Sequence, residues 1–132
     1  MNVLIFGATG MVGQGVLREC LLANDVERVT AVGRTPTGSQ HAKLRDLLVP
    51  DLMDYRQVEG ELRGYDACYF CLGISSAGMD EASYSRITYD LTLAAAEVLA
   101  RLNPQMTFVY VSGVGTDSTE PVSYTHLRAH ET

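Results

Sequence analysis

The sequence predicts an α/β fold, a doubly wound parallel sheet with helices on both faces, on three observations. Short apolar runs rich in β-formers alternate with longer amphipathic stretches, as parallel strands joined by crossover helices do. The first run, Asn2–Phe6, is apolar almost throughout, which suits a strand covered on both sides. A glycine-rich turn, Gly7–Gly13, then joins that strand directly to an amphipathic stretch.

The elements follow in order. After the first strand, Met11–Ala23 sets Val12, Val16, Cys20 and Ala23 at helical spacing, with Gln14, Arg18 and Glu19 between them, so one face is expected on the sheet. Asn24-Asp25 ends that helix, and a second strand is expected near Arg28–Val32. Thr35–Ser39 is polar and turn-rich, a short helix is expected around His41–Arg45, and a third strand near Leu47–Val49. Arg56–Leu62 is expected to be helical, with Gly64 as its C-terminal cap. The fourth strand is Ala67–Leu72. A long helix from about Ala82 to Leu102, stopped by Asn103-Pro104, leads to the fifth strand, Thr107–Val111. About five strands therefore form one unit over residues 1–120, with no internal repeat or linker.

Length and charge narrow the partners. A chain of 132 residues with 46% apolar residues builds one core and no second domain. A net charge of −6 without a run of Lys or Arg argues against nucleic acid or an anionic membrane surface. The apolar runs stay far below the ~18 residues of a membrane span, and nothing after Met1 reads as a secretory leader, so the cytoplasm is the expected location. Three cysteines, Cys20, Cys68 and Cys71, lie in apolar stretches and are expected as reduced core thiols. Cys68 and Cys71 form a CxxC spacing, but on a strand they point to opposite faces, which suits neither a metal nor a redox pair.

The chemistry gathers at the glycine turn. Gly7 permits a tight exit from the strand, Gly10 lets backbone N–H groups approach a pyrophosphate, and Gly13 lets the helix lie close to the sheet. The phosphates would rest on the free N–H groups and positive dipole end of the helix, with Thr9, Met11 and Val12 in the same binding turn. At the end of the second strand an NAD-binding protein usually presents an acid to the adenosine ribose, whereas this chain reads Val32-Gly33-Arg34-Thr35. A guanidinium there suits a 2′-phosphate, so Arg34, assisted by Thr35, favours NADP(H) over NAD(H); the alternative is a solvated loop arginine.

The sequence Gly7-Ala8-Thr9-Gly10-Met11-Val12-Gly13 resembles the GxxGxxG loop of extended and atypical short-chain dehydrogenases/reductases, a Rossmann-like NAD(P)-binding group that includes NAD-dependent epimerases/dehydratases and NmrA-like proteins. The resemblance covers roughly residues 1–120. It implies that Asp51-Leu52 contacts the adenine ring, although Asp51 equally suits a helix cap, and that Cys71-Leu72-Gly73 runs under the cofactor ribose. It also implies that Ser112, at the end of the fifth strand, polarises a substrate carbonyl. The Ser75–Asp80 loop either covers the nicotinamide or merely connects, and Tyr89 faces either the cofactor or the core.

In the resembling family a Tyr followed four residues later by Lys completes the proton-transfer apparatus, the ammonium lowering the phenol pKa. Here the downstream candidate is Tyr124 with Arg128 at the lysine position, and Arg cannot relay a proton. Residues 123–132 change character and resemble the adapter-derived peptide that ends some misassembled gene sequences. Residues 121–132 are accordingly expected as a non-native or disordered tail, and the chain as a C-terminally truncated fragment. His126 and His130 stand four residues apart with Glu131 beside them, but no third ligand cluster answers them, and no metal is expected.

The sequence thus leads to the cofactor half of an NADP(H)-dependent oxidoreductase that moves hydride to or from a small carbonyl or hydroxyl substrate of unknown identity. The alternative is a protein on the same scaffold that senses NADP(H) without turnover, because fold alone does not separate the two.

Overall fold

The computed structural model describes residues 1–72, 80–112 and 123–128. Its centre is a sheet of strands β1 (Asn2–Phe6), β2 (Arg28–Gly33), β3 (Leu44–Leu48), β4 (Ala67–Phe70), β5 (Thr107–Ser112) and β6 (Ser123–Arg128), in the spatial order β3-β2-β1-β4-β5-β6. The first five are parallel, and β6 runs antiparallel to β5. Helix α1 (Met11–Leu22) crosses from β1 to β2 and helix α2 (Glu81–Leu102) from β4 to β5. Residues Arg56–Leu62 form a 3₁₀ helix between β3 and β4.

Alternation along the strands explains the continuous apolar runs. In β1, Leu4 and Phe6 enter the core shared with α2 and the 3₁₀ helix, whereas Val3 and Ile5 enter the core under α1. The same split places Cys68 and Phe70 of β4 on one side and Ala67 and Tyr69 on the other. Phe6, Phe70 and Phe108 cross three adjacent strands as a row, with ring centroids 5.3 and 5.8 Å apart. Each such aromatic pair adds about 1 kcal/mol beyond the burial of its area.

Two expectations need correction, and one needs extending. The inward face of α1 holds the expected Val16, Cys20 and Ala23 and extends to Gly13 and Leu17, because the helix approaches the sheet through Gly13. The short helix around His41–Arg45 does not form. Leu44–Leu48 pairs with β2 instead, and Val29 N–H donates to Lys43 O at 2.9 Å, so the sheet has taken that backbone. The freed Lys43 ammonium donates to Leu21 O and Ala23 O at 3.1 and 2.9 Å, placing a cation on the carbonyl end of α1. Finally, Ser123–Arg128, expected within a tail, pairs along β5 as β6, where Tyr and Thr suit a strand and the open edge of β5 supplies unpaired backbone groups.

The N-terminal edge of the parallel strands is locked by side chains. Asn103, buried just after α2, accepts from Gly64 N–H and Tyr65 N–H at 2.9 and 3.1 Å and donates to Leu62 O at 2.8 Å. The Tyr65 hydroxyl meets Thr30 Oγ1 at 2.6 Å in the interior. Asp66 Oδ2 accepts from Asn2 N–H at 2.7 Å, and the Asn2 side chain donates to Gly64 O at 3.1 Å. Gly64 adopts φ +87, the left-handed turn that the sequence assigned to a helix cap.

Candidate functional site

At the opposite, C-terminal edge, β1 leaves the sheet through Gly7, whose φ is +79. A side chain there would be strained, and its Cβ would stand 2.7 Å from the backbone of Cys71 and Leu72 at the end of β4. Gly13 is equally constrained, since a Cβ would fall 1.9 Å from Gly7 O. Gly10 differs: the nearest atom to an added Cβ is Gly7 O at 3.6 Å, ordinary contact. Packing within the protein therefore explains Gly7 and Gly13 but leaves Gly10 unexplained. A Cβ at Gly10 would instead occupy the approach to the helix terminus, the space a pyrophosphate takes.

That terminus is open. Gly10 is the N-cap of α1 with no side-chain cap, no acid stands in the first turn, and the first backbone bond is Gln14 N–H to Gly10 O at 2.9 Å. The N–H groups of Met11, Val12 and Gly13 precede it and have no acceptor within the helix. Gln14 Nε2 donates to Thr9 O at 2.9 Å and holds the turn in place. By contrast, α2 begins with Asp80 accepting from Ser83 N–H at 2.7 Å.

A cleft of about 410 Å³ opens beside the turn, lined by Gly7, Ala8, Thr9, Ala31, Val32, Gly33, Arg34, Thr35, Thr37, Leu52 and Leu72. This volume lies in the range of cofactor sites. The fold thus brings Gly7, Thr9, Arg34, Thr35, Leu52 and Leu72 to one hollow from the ends of β1 and β2, the β3 exit and the end of β4. Arg34 and Thr35 are exposed, and Arg34 pairs with no carboxylate among the described residues. Asp51 stands outside the lining: its Oδ1 accepts from Met53 N–H at 2.9 Å, a local turn of the kind the sequence offered as the alternative to a ligand contact. Leu52 supplies the wall.

Beneath the cleft, Cys71 N–H donates to Phe6 O at 2.9 Å, tying the ends of β4 and β1 together. Burial, with a smaller contribution from Cys20, pushes the Cys71 thiol up to about 11, so it stays neutral and is no nucleophile at neutral pH. Burial likewise raises Cys20 and Cys68. Tyr89 is 64% exposed and takes no part in the cleft. Gly73 and the loop up to residue 79 lie outside the described residues, as do His130 and Glu131. Among the described residues no group of three or more His, Cys, Asp or Glu gathers as a metal site.

Ser112 ends β5 and pairs with Ser123 of β6. Tyr124 lies opposite Val111 in β6. Tyr124 and Arg128 both lie on β6, where four residues span about 13 Å, not the single turn that four residues make on a helix.

A larger hollow of about 650 Å³ lies between the 3₁₀ helix and α2. Its two cations are already paired, Arg56 to Asp54 at 2.7 Å and Arg101 to Glu59 at 2.6 Å, and the other charged side chains of its lining, Asp90 and Glu97, are acids, which suits no phosphate. The Arg56 guanidinium holds Asp54 down to about 2. The smaller cleft holds a cation, Arg34, unpaired among the described residues, and lies beside the open start of α1, whose residues 10–13 flank it without entering its lining, so we assign function there. Two residues of this region carried no motif: Thr37, which lines the cleft, and Asp46 of β3, which holds it. Neither carried a sequence signal, Thr37 lying in a polar turn and Asp46 just ahead of the expected third strand.

An open helix N-terminus, a glycine turn with room over its donors, and a parallel sheet whose order reverses between β1 and β4 together define a dinucleotide-binding Rossmann domain. The chain belongs to the NAD dependent epimerase/dehydratase family, whose model matches residues 3–128. Protein HTATIP2 of Rattus norvegicus is 25% identical over 130 residues, which is 96% of this chain and 53% of that protein. Uronate dehydrogenase from Agrobacterium tumefaciens superposes with a TM-score of 0.58 at 25% identity, covering 84% of this chain and 40% of its own. A point mutant of that enzyme complexed with NAD gives 0.51 at 25% identity, over 72% and 36%. The chain therefore spans about half the length, or less, of these relatives. No helix among the described residues is long and apolar enough to cross a membrane.

Proposed function

We propose that the chain is the cofactor-binding part of an NADP(H)-dependent oxidoreductase of the atypical short-chain type, acting in the cytoplasm on a small carbonyl or hydroxyl compound. The observation that carries the choice of cofactor is Arg34, exposed at the cleft where an NAD-binding protein would present an acid. Its planar guanidinium suits a 2′-phosphate, with Thr35 beside it. The N–H groups of Met11, Val12 and Gly13 hold the pyrophosphate, Thr9 and Gly10 shape its approach, and Leu52 packs on the adenine, with Asp51 available through its second carboxylate oxygen. Cys71 and Leu72 carry the chain beneath the ribose.

The cofactor, when bound, supplies or accepts hydride at nicotinamide C4. The protein's part is to orient the substrate: Ser112, at the carboxyl end of β5, holds the substrate oxygen. Replacing Arg34 with Ala tests the cofactor assignment. The expected result is an NADPH affinity lower by about tenfold or more, with the NADH affinity changed less than about twofold. Equal losses for both would remove the 2′-phosphate role. Steady NADPH oxidation with a panel of carbonyl compounds supports the enzyme, whereas tight binding without turnover assigns the chain to the sensing alternative.

A further inference from the structure

The loop after β2 carries Arg34 and Thr35 and then turns at Gly38, whose φ is +77. Short polar loops of this kind order poorly unless something ties them down. Here the tie is the Asp46 carboxylate, presented from β3. Its Oδ1 accepts from Thr37 N–H at 3.2 Å and its Oδ2 from the Thr37 hydroxyl at 3.4 Å. Ser39 N–H in turn donates to Thr37 Oγ1 at 3.3 Å. Thr37, gripped at both backbone and side chain, lines the same cleft as Arg34 and Thr35. The register of β3 fixes where the carboxylate stands, because Asp46 pairs with Ala31, also in the cleft wall, three residues before Arg34.

We infer that Asp46 is a positioning residue for cofactor discrimination: by clamping Thr37 it holds the Arg34–Thr35 loop in the geometry that receives a 2′-phosphate. This rests on the NADP(H) reading above. Charge alone would work the other way, since an acid near a phosphate repels it, so the inference commits to the clamp rather than to the charge. Hydrogen bonds to a charged acceptor are the stronger kind, and two of them sharing one residue fix its orientation as well as its position.

The test compares affinities for 2′,5′-ADP and 5′-AMP, which differ by the 2′-phosphate alone, in the full chain and its variants. Asp46→Ala is expected to lower the ratio of the two affinities about tenfold, leaving 5′-AMP binding within about twofold. Asp46→Asn, whose amide oxygen still accepts from Thr37 N–H, is expected to keep the ratio within about threefold. If Asp46→Ala does not fold, Thr37→Val, which loses the hydroxyl bond and keeps the N–H bond, is expected to lower the ratio about threefold. A ratio unchanged in Asp46→Ala, or in Thr37→Val where that variant is used, overturns the clamp, and so does a ratio that rises in both Asp46 variants, which would show simple repulsion. Arg34→Ala measured alongside separates the two claims. If it collapses the ratio while Asp46→Ala does not, the clamp alone fails; if Arg34→Ala leaves the ratio intact, the 2′-phosphate reading fails and the clamp with it.

Discussion

The two edges of the same sheet are built on opposite rules. At the N-terminal edge, side chains close off backbone groups: Asn103 satisfies two N–H groups and a carbonyl, Asp66 and Asn2 bond across strands, and Tyr65 and Thr30 share a buried bond. At the C-terminal edge, α1 begins uncapped, Arg34 is unpaired among the described residues, and glycine occupies a place where the protein itself has room for a side chain. One edge is finished by the protein; the other is left for a ligand to finish. The direction of the parallel strands assigns these roles, because the crossovers put the start of α1 and the loops after β2 and β3 at the carboxyl ends.

The largest expected effect breaks the closed edge. Asn103→Ala removes two buried hydrogen bonds and a part-buried one and strands a buried donor, Tyr65 N–H, and an acceptor, Leu62 O, which costs about 3–4 kcal/mol. Urea unfolding measures it, and a loss under about 1 kcal/mol would show that the edge is not held by Asn103.

A matched pair of substitutions then separates the structural glycines from the ligand glycine. Gly13→Ala drives a Cβ into Gly7 O and is expected to cost about 2–3 kcal/mol of folding stability. Gly10→Ala meets nothing closer than 3.6 Å and is expected to cost about 1 kcal/mol or less, the ordinary difference at an N-cap. Its effect should appear in dinucleotide affinity, lowered about tenfold with the melting curve nearly unmoved. If Gly10→Ala binds NADPH as the parent does, the turn does not hold the pyrophosphate in the proposed way.

How much of this was legible in the sequence follows from how local each signal is. The glycine turn, the β1 run and the α2 stop at Asn103-Pro104 were readable because their physics is local: a positive φ, a two-sided burial pattern, a residue that cannot continue a helix. The spacing along α1 points to Val16, Cys20 and Ala23, which do pack on the core, but gives no sign of Gly13, whose burial depends on how close the helix comes to Gly7, a tertiary fact. His41–Arg45 was misjudged because its backbone answers to β2, not to its own propensity. Asp46 gave almost no warning: its importance lies in Thr37, nine residues away across a loop. Leu52 was flagged together with Asp51 by the resemblance, but only the geometry of the β3 exit shows the leucine in the wall and the acid folded into its own turn.

The contrast between the two edges is tested most directly by hydrogen exchange of backbone amides with and without saturating NADPH. The account predicts that the amides of Met11, Val12 and Gly13 slow by about tenfold or more when the cofactor is present, while those of Gly64 and Tyr65, already bonded to Asn103, keep their rates. Unchanged exchange at Met11–Gly13 under saturating cofactor, with protection appearing elsewhere, would contradict it.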